Sequence, residues 1–580
     1  MADGMIFSSL SFLLSTSLLS TSLVWHPATN WVDTIDPVAD PHARKGGTIR
    51  FNGSQPPKSF NAYVDNNTYT KMTFELMYET LVGVDTQTLE FCPGLARRWA
   101  VSTDGNEYVF EIDARAHWSD GVPVTAADVK WTFDTVMDKK NDTGPWKPIL
   151  ADFASPEILG ERTVKFVKKG GSPKDWRDIL HCGQFYILPK HAFADKDFNK
   201  LDLLNAPVGG AYQITRVAEQ IETEFTRVKN WWRKDFPSCV NVCNFDRIVM
   251  RYYIDNENAF EALKKRAIDI YPVYTARIMN NETHGEKFDR NWMLKRLVHN
   301  HHPCGFQGFA MNMRKKPFDD LRVRQAMSLL IDRETMNRTM MGNAYFLLKS
   351  YYTEVYDKEH PCTNAFYGYD VERAKKLLAE AGYENGFTFT FLSRSASEDK
   401  FLALFDHALK QCNVTMKIVR KDFAGWMRDM DSFAFEMTWA SMGGSIFKDP
   451  QLLWLSSEAD RKGSGNYCGF KSAEVDALIA AEKEMETTEE RNAAYRKIDS
   501  LVAAQCPFAF LWQTDTERLI YWNKFGMPRS ILGKYSDEDC IFSYWWYDED
   551  KARELDEAIE KKTCLPNVPL HVYYDAEMGE

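Results

Sequence analysis

Between Tyr108 and Ala114 apolar and polar side chains alternate. Phe110, Ile112 and Ala114 fall on one face, and Val109, Glu111 and Asp113 on the other. A period of two predicts a half-buried strand. Ser119-Asp120-Gly121 then turns the chain. Thr125 stands three residues before Asp128, the spacing of a capping box, and Val129, Thr132, Phe133 and Val136 recur at helical intervals. A helix from Thr125 onward is therefore predicted. The same reading gives a strand after the turn at Lys45-Gly46-Gly47, ending near Phe51. It gives a helix with Phe74, Met77, Tyr78 and Leu81 on one face, closing near Gly83. A strand over 245–253, an amphipathic helix over 258–267 with Ala259, Ala262 and Leu263 inward, and a helix capped by Gly382 follow. Strands and helices are interleaved and no repeat is visible, so the predicted class is α/β.

One stretch breaks the pattern. Met5 to Trp25 contains no charged residue. It reads as the apolar core of an export signal, or as an uncleaved anchor, and residues 1–30 are assigned to it. Either reading places the rest outside the cytoplasm. The first cysteine is Cys92, so no thiol follows this stretch for lipid attachment, and a soluble periplasmic protein is expected. With 580 residues the chain needs several domains. Its net charge of −11 argues against a nucleic-acid partner. The eleven cysteines show no zinc-type spacing; Cys239 and Cys243 are close enough for a small bridge.

Longer motifs carry a resemblance. Trp118, Asp120, Gly121, Pro123, Val124, Thr125, Ala126, Asp128 and Val129 fit a "W-x-D-G-x-P-V-T-A-x-D-V" signature. Pro93-Gly94-Leu95-Ala96 with Trp99, Pro207–Tyr212, Asn230-Trp231-Trp232, Asn312–Ala326, Tyr369–Tyr383 and Asn466–Ile479 fit further segments in order. Over roughly 45–515 the chain resembles the family 5 extracellular solute-binding proteins, the peptide and nickel receptors of ABC importers. Trp439, Phe447-Lys448-Asp449-Pro450 and Trp545-Trp546 resemble the oligopeptide/microcin C receptor branch. The resemblance implies a periplasmic-binding-protein type II fold with two lobes, a hinge and an extra inserted domain. Carried over, lobe I is 31–82, 206–300 and 516–580, the extra domain 83–205, and lobe II 301–515. The implied function is capture of a peptide or modified peptide by lobe closure and delivery to ABC permease subunits in the inner membrane, by a monomer without a cofactor.

No nucleophile elbow, H-E-x-x-H, Walker A or G-x-G-x-x-G motif occurs in the sequence, so an enzyme is not expected; a hydrolase and a chaperone-like protein are the remote alternatives. His299-Asn300-His301-His302-Pro303-Cys304 offers metal-ligand types. An extended segment turns neighbouring side chains to opposite faces, so these are read as structural or solvated, and no metal is assigned. The candidate ligand site is Trp439-Ala440-Ser441-Met442. In the peptide receptors the matching "G-W-x-x-D" segment lines the cleft, and its Asp holds the peptide ammonium. Here Met442 stands in that place, and a thioether cannot neutralise a buried ammonium. Asp449 could substitute or be structural. Asn312, Tyr63, Phe447 and Tyr467 are further cleft candidates. Arg322 and Arg324 are read as ion-pair partners of Asp319, Asp320 or Asp332. The missing carboxylate and the aromatic content of 14 % also admit a muropeptide or an oligosaccharide as ligand.

Overall fold

The computed structural model describes residues 23–26, 33–54, 56–65, 67–144, 146–170, 174–273 and 277–579. Most of the apolar stretch from Met5 lies outside these residues. Its end does not: Leu23–His26 is an edge strand, antiparallel to Ala96–Ser102. The predicted 1–30 segment therefore includes a piece of the folded domain.

That strand opens a five-stranded sheet in the order Leu23–His26, Ala96–Ser102, Glu107–Ile112, Thr163–Val167, Glu157–Gly160. Glu107–Ile112 is its central strand. Both Val109 and Phe110 are buried, so the expected half-exposed alternation is lost where helices and loops cover both faces. The helix Ala126–Met137 begins as predicted. The Asp128 carboxylate accepts from the Thr125 backbone N–H at 2.8 Å and from its hydroxyl at 3.0 Å. Val129, Thr132, Phe133 and Val136 are all buried.

Two four-stranded sheets complete the first half of the molecule. One runs Thr48–Asn52, Arg247–Arg251, Glu222–Arg227, Tyr212–Ala218; the other runs Ile270–Pro272, Thr516–Trp522, Met293–His299, His571–Tyr573. The sheet holding Glu107–Ile112 shares one continuous core with the first of these, through Trp118, Tyr63, Phe74 and Phe110.

The second half is built only from residues 306–512. Its sheet has the order Thr415–Arg420, Thr388–Ser393, Met437–Met442, Phe306–Met311, Phe508–Phe510. Phe306–Met311 is buried on both faces. Phe309 and Met311 enter one core, and Phe306 and Ala310 the other. This is why, Gln307 apart, it reads as an apolar run without alternation. The chain passes between the halves twice, at 300–305 and at 514–515. Gln513 ties the crossings together, its side-chain N–H donating to the Cys304 carbonyl at 2.7 Å.

Cys239 and Cys243, close enough in sequence for a small bridge, are both free thiols. Cys239 ends the short 3-10 helix Pro237–Cys239, and the Cys243 backbone N–H donates to the Ser543 carbonyl.

Candidate ligand site

A cavity of about 450 Å³ lies where the two halves meet at the crossings. Its walls come from the first crossing (His301 to Cys304), from Asp515 on the second, from Leu89 and Tyr535 on one side, and from Glu354, Ile446, Lys448, Thr488 and Asn492 on the other. The volume suits a small ligand.

The charged groups of this wall are mostly held. Lys448 is buried, and its ammonium meets the Glu354 carboxylate at 2.8 Å. His302 Nδ1 lies 3.1 Å from Glu517 Oε1. Burial pulls the His302 pKa down, but the hydrogen bond and charge of Glu517, with Asp537 and Glu538 beyond, outweigh it and raise it above the ordinary value. His301 Nε2 faces Asp575 Oδ2 at 2.6 Å. Burial pushes the Cys304 thiol up to about 12, so it is protonated and reacts slowly for as long as the cavity wall covers it. Among the described residues no three His, Cys, Asp or Glu side chains are grouped to hold a metal ion.

The structure separates the residues singled out in the sequence. Trp439 is part-buried, its Nε1–H donating to Gln307 Oε1 at 3.0 Å and its ring set edge-on to Phe309, Phe401 and Trp512. Ala440 is buried in the opposite core, Ser441 is exposed, and Met442 packs partly against that same core. None of the four lines the cavity. Tyr63 and Asn312, expected in the cleft, are both buried in core surroundings. Tyr63 donates its hydroxyl to the Tyr186 carbonyl among Phe74, Trp146 and Phe198. The Asn312 amide donates to the Phe433 and Phe435 carbonyls at 3.1 and 2.9 Å and accepts from Arg314. Tyr467 supplies a backbone carbonyl to Arg314 and packs beside the second core. Asp449 precedes the helix Gln451–Trp454, accepting from the Gln451 N–H at 3.1 Å and from its side-chain amide at 3.2 Å. Phe447 sits between Phe91 and Trp176 of the first half.

Arg322 pairs with Asp320 at 2.6 Å, as expected. Arg324 has no carboxylate partner among the described residues; it is buried and donates to the Gln505 and Phe318 carbonyls. The residues that sequence reasoning missed are Lys448, Glu354 and Asp515, together with the cavity position of His301 and His302. Lys448 stood inside a quoted motif, and the histidines inside the one metal-like cluster. Glu354 and Asp515 had no local signal, because the pairing that brings them in is set by the crossings.

Comparisons with known proteins agree with this architecture. The family model for bacterial extracellular solute-binding proteins, family 5 (Middle), matches residues 90–464. A putative binding protein of Brucella suis biovar 1 is 26 % identical over 506 residues, covering 78 % of this chain and 80 % of the relative. The peptidoglycan-binding protein YepA of Agrobacterium fabrum is 26 % identical over 553 residues, covering 85 % and 89 %. Among solved structures, the periplasmic binding protein DppA of Helicobacter pylori, in complex with the peptide STSA, superposes with a TM-score of 0.68 at 19 % identity, covering 87 % of this chain and 99 % of that one. The fold expected from the motifs, α/β of the type II periplasmic-binding-protein kind, is the fold observed.

Proposed function

The chain belongs to the bacterial extracellular solute-binding proteins of family 5, and from that premise we propose that it captures a peptide or modified peptide in the cavity at the crossings. Closure of the two halves about residues 300–305 and 514–515 would enclose the ligand, and the closed form would be presented to an ABC permease. The observation that carries this reading is the cavity itself: it is bounded by both crossings and by both halves, so any hinge motion changes its volume. We divide the chain as lobe I (31–82, 206–300, 516–580), an inserted domain (83–205) and lobe II (301–515). The separate cores of residues 306–512 support that division. We place the protein in the periplasm as a monomer. Among the described residues no helix is long and apolar enough to cross a membrane.

The ligand's anchor differs from that of a peptide receptor with the "G-W-x-x-D" segment. Met442 carries no charge, and Asp449 is engaged with Gln451. The carboxylates that reach the cavity are Glu354 and Asp515. A muropeptide or an oligosaccharide is the second reading; Met442 and the name of the Agrobacterium fabrum relative favour it.

Native mass spectrometry of the protein purified from its own periplasm tests the proposal. A peptide-like mass released on denaturation is the expected result. A glycan mass would move the assignment to the second reading. An empty protein that also shows no thermal shift with peptide or glycan pools would refute both.

A further inference from the structure

A second set of buried charges joins the halves away from the crossings. Arg177, on the inserted domain, is 3 % exposed, and the facing Glu482 of the 306–512 unit is fully buried. The guanidinium grips Asp175 through two N–H groups at 2.9 and 3.1 Å. It donates across the gap to Glu482 Oε2 at 3.0 Å and to the Lys448 carbonyl at 2.7 Å. Its Nη1 lies 3.9 Å from Asp449. Trp176 adds two bonds across the same gap, Nε1–H to Glu482 Oε1 at 2.7 Å and backbone N–H to the Lys483 carbonyl at 2.9 Å. Its ring lies beside Phe447 and under the Arg491 guanidinium. Tyr495 completes the set, its hydroxyl directed at Glu482 and at the Lys448 carbonyl.

Three features make this more than packing. The pairing is between separate units, so it forms only when they are together. Charges this buried are costly unless matched; Arg177 keeps Asp175 on its own side, but Glu482 meets its guanidinium partner across the gap. The acceptor at its centre is the backbone of Lys448, whose side chain is on the cavity wall against Glu354. Lys448 is thus pinned at both ends, by Glu354 inside the cavity and by Arg177 outside it.

We propose that Arg177 is a positioning residue that clasps the inserted domain to the 306–512 unit and holds Lys448 in the cavity wall, restraining the two halves from parting. The inference rests on the reading of the cavity as the ligand site, but its mechanics can be tested without ligand. Parting the halves would strand Glu482 beside Tyr495 and expose Trp176, so the clasp favours the joined arrangement seen here. Asp175 travels with Arg177 and leaves it neutralised in both states, which makes the contact reversible.

The test uses the full chain in three forms: wild type, Glu482→Gln and Arg177→Met. Hydrogen exchange reads the Trp176 amide, which is bonded across the gap. Maleimide labelling, located by peptide mass, reads Cys304 on the cavity wall. Both variants are expected to exchange Trp176 and label Cys304 at least about tenfold faster. Amides of Glu107–Ile112 should keep wild-type protection, showing that the domain is still folded. Unchanged Trp176 exchange would overturn the clasp. Faster exchange with unchanged Cys304 labelling would overturn its hold on the cavity. If a variant fails to fold, Trp176→Phe, which removes one bond to Glu482 across the gap and keeps the residue 176 amide, is expected to move both readouts in the same direction by a smaller factor; no movement in either would overturn the clasp. A failure of peptide binding in the wild type would sink the ligand assignment and leave these two readouts standing.

Discussion

Replacing the glycines that seat the first crossing against the strand end at Met442 should separate three neighbouring positions sharply. A Cβ on Gly444 would lie 2.0 Å from the Pro303 carbonyl oxygen and 2.4 Å from its carbon. A Cβ on Gly305 would lie 2.2 Å from the Met442 carbonyl oxygen, and Gly305 also has φ +65°. A Cβ on Gly443 meets nothing within 4 Å, and its φ is not in the left-handed region. The obstacles at Gly444 and Gly305 are backbone atoms, which cannot rotate away. Overpacking of this kind costs about 1–3 kcal/mol. The left-handed backbone adds roughly 1–2 kcal/mol at Gly305. The expected losses are therefore ~1–3 kcal/mol for Gly444→Ala and ~2–5 kcal/mol for Gly305→Ala, with Gly443→Ala within ~0.5 kcal/mol of wild type. For a unit of this size each kcal/mol moves Tm by about 2–4 °C. Calorimetry of the three variants gives the order directly. Pro303 lines the cavity, so the two damaging substitutions should also weaken ligand capture, whereas Gly443→Ala should not. Equal melting temperatures for all three, or the lowest for Gly443→Ala, would refute the reasoning.

Asn312→Ala removes a buried amide that satisfies two carbonyls and positions Arg314; it should cost about 2–4 kcal/mol by urea titration and leave ligand affinity per folded molecule unchanged. An affinity loss at wild-type stability would return Asn312 to the cleft. His302 is raised by Glu517, so its contribution is fully present below the ordinary imidazole value and fades as pH rises through the raised folded value. His302→Gln should therefore flatten the fall in wild-type stability between about pH 6 and 8; parallel pH profiles would exclude the pair. Leu23–His26 pairs with Ala96–Ser102, and the Arg98 guanidinium lies 4.4 Å from the Trp25 ring centre. If the apolar stretch is removed on export, the intact mass should place the new terminus before Leu23; a terminus beyond His26 would show that this strand is dispensable.

The sequence alone determined most of the local structure. The capping box at Thr125, the buried face of Ala126–Met137 and the turn at Gly121 follow from interactions within a few residues, and they stand as read. The long motifs were enough for the family and the fold, since they mark turns and helix starts that any member must build. The site was only partly legible. Trp439 and Asn312 belong to motifs, but motifs report backbone framework as readily as ligand contacts, and both side chains are committed to core neighbours. Lys448 meeting Glu354, Arg177 reaching Glu482 across more than 300 positions of chain, and Asp515 arriving at the cavity wall are decided by how the chain crosses twice between two separately packed halves. No local pattern encodes such meetings. They arise when two halves, each packed around its own cores, are brought together and the buried charges at the seam must find partners.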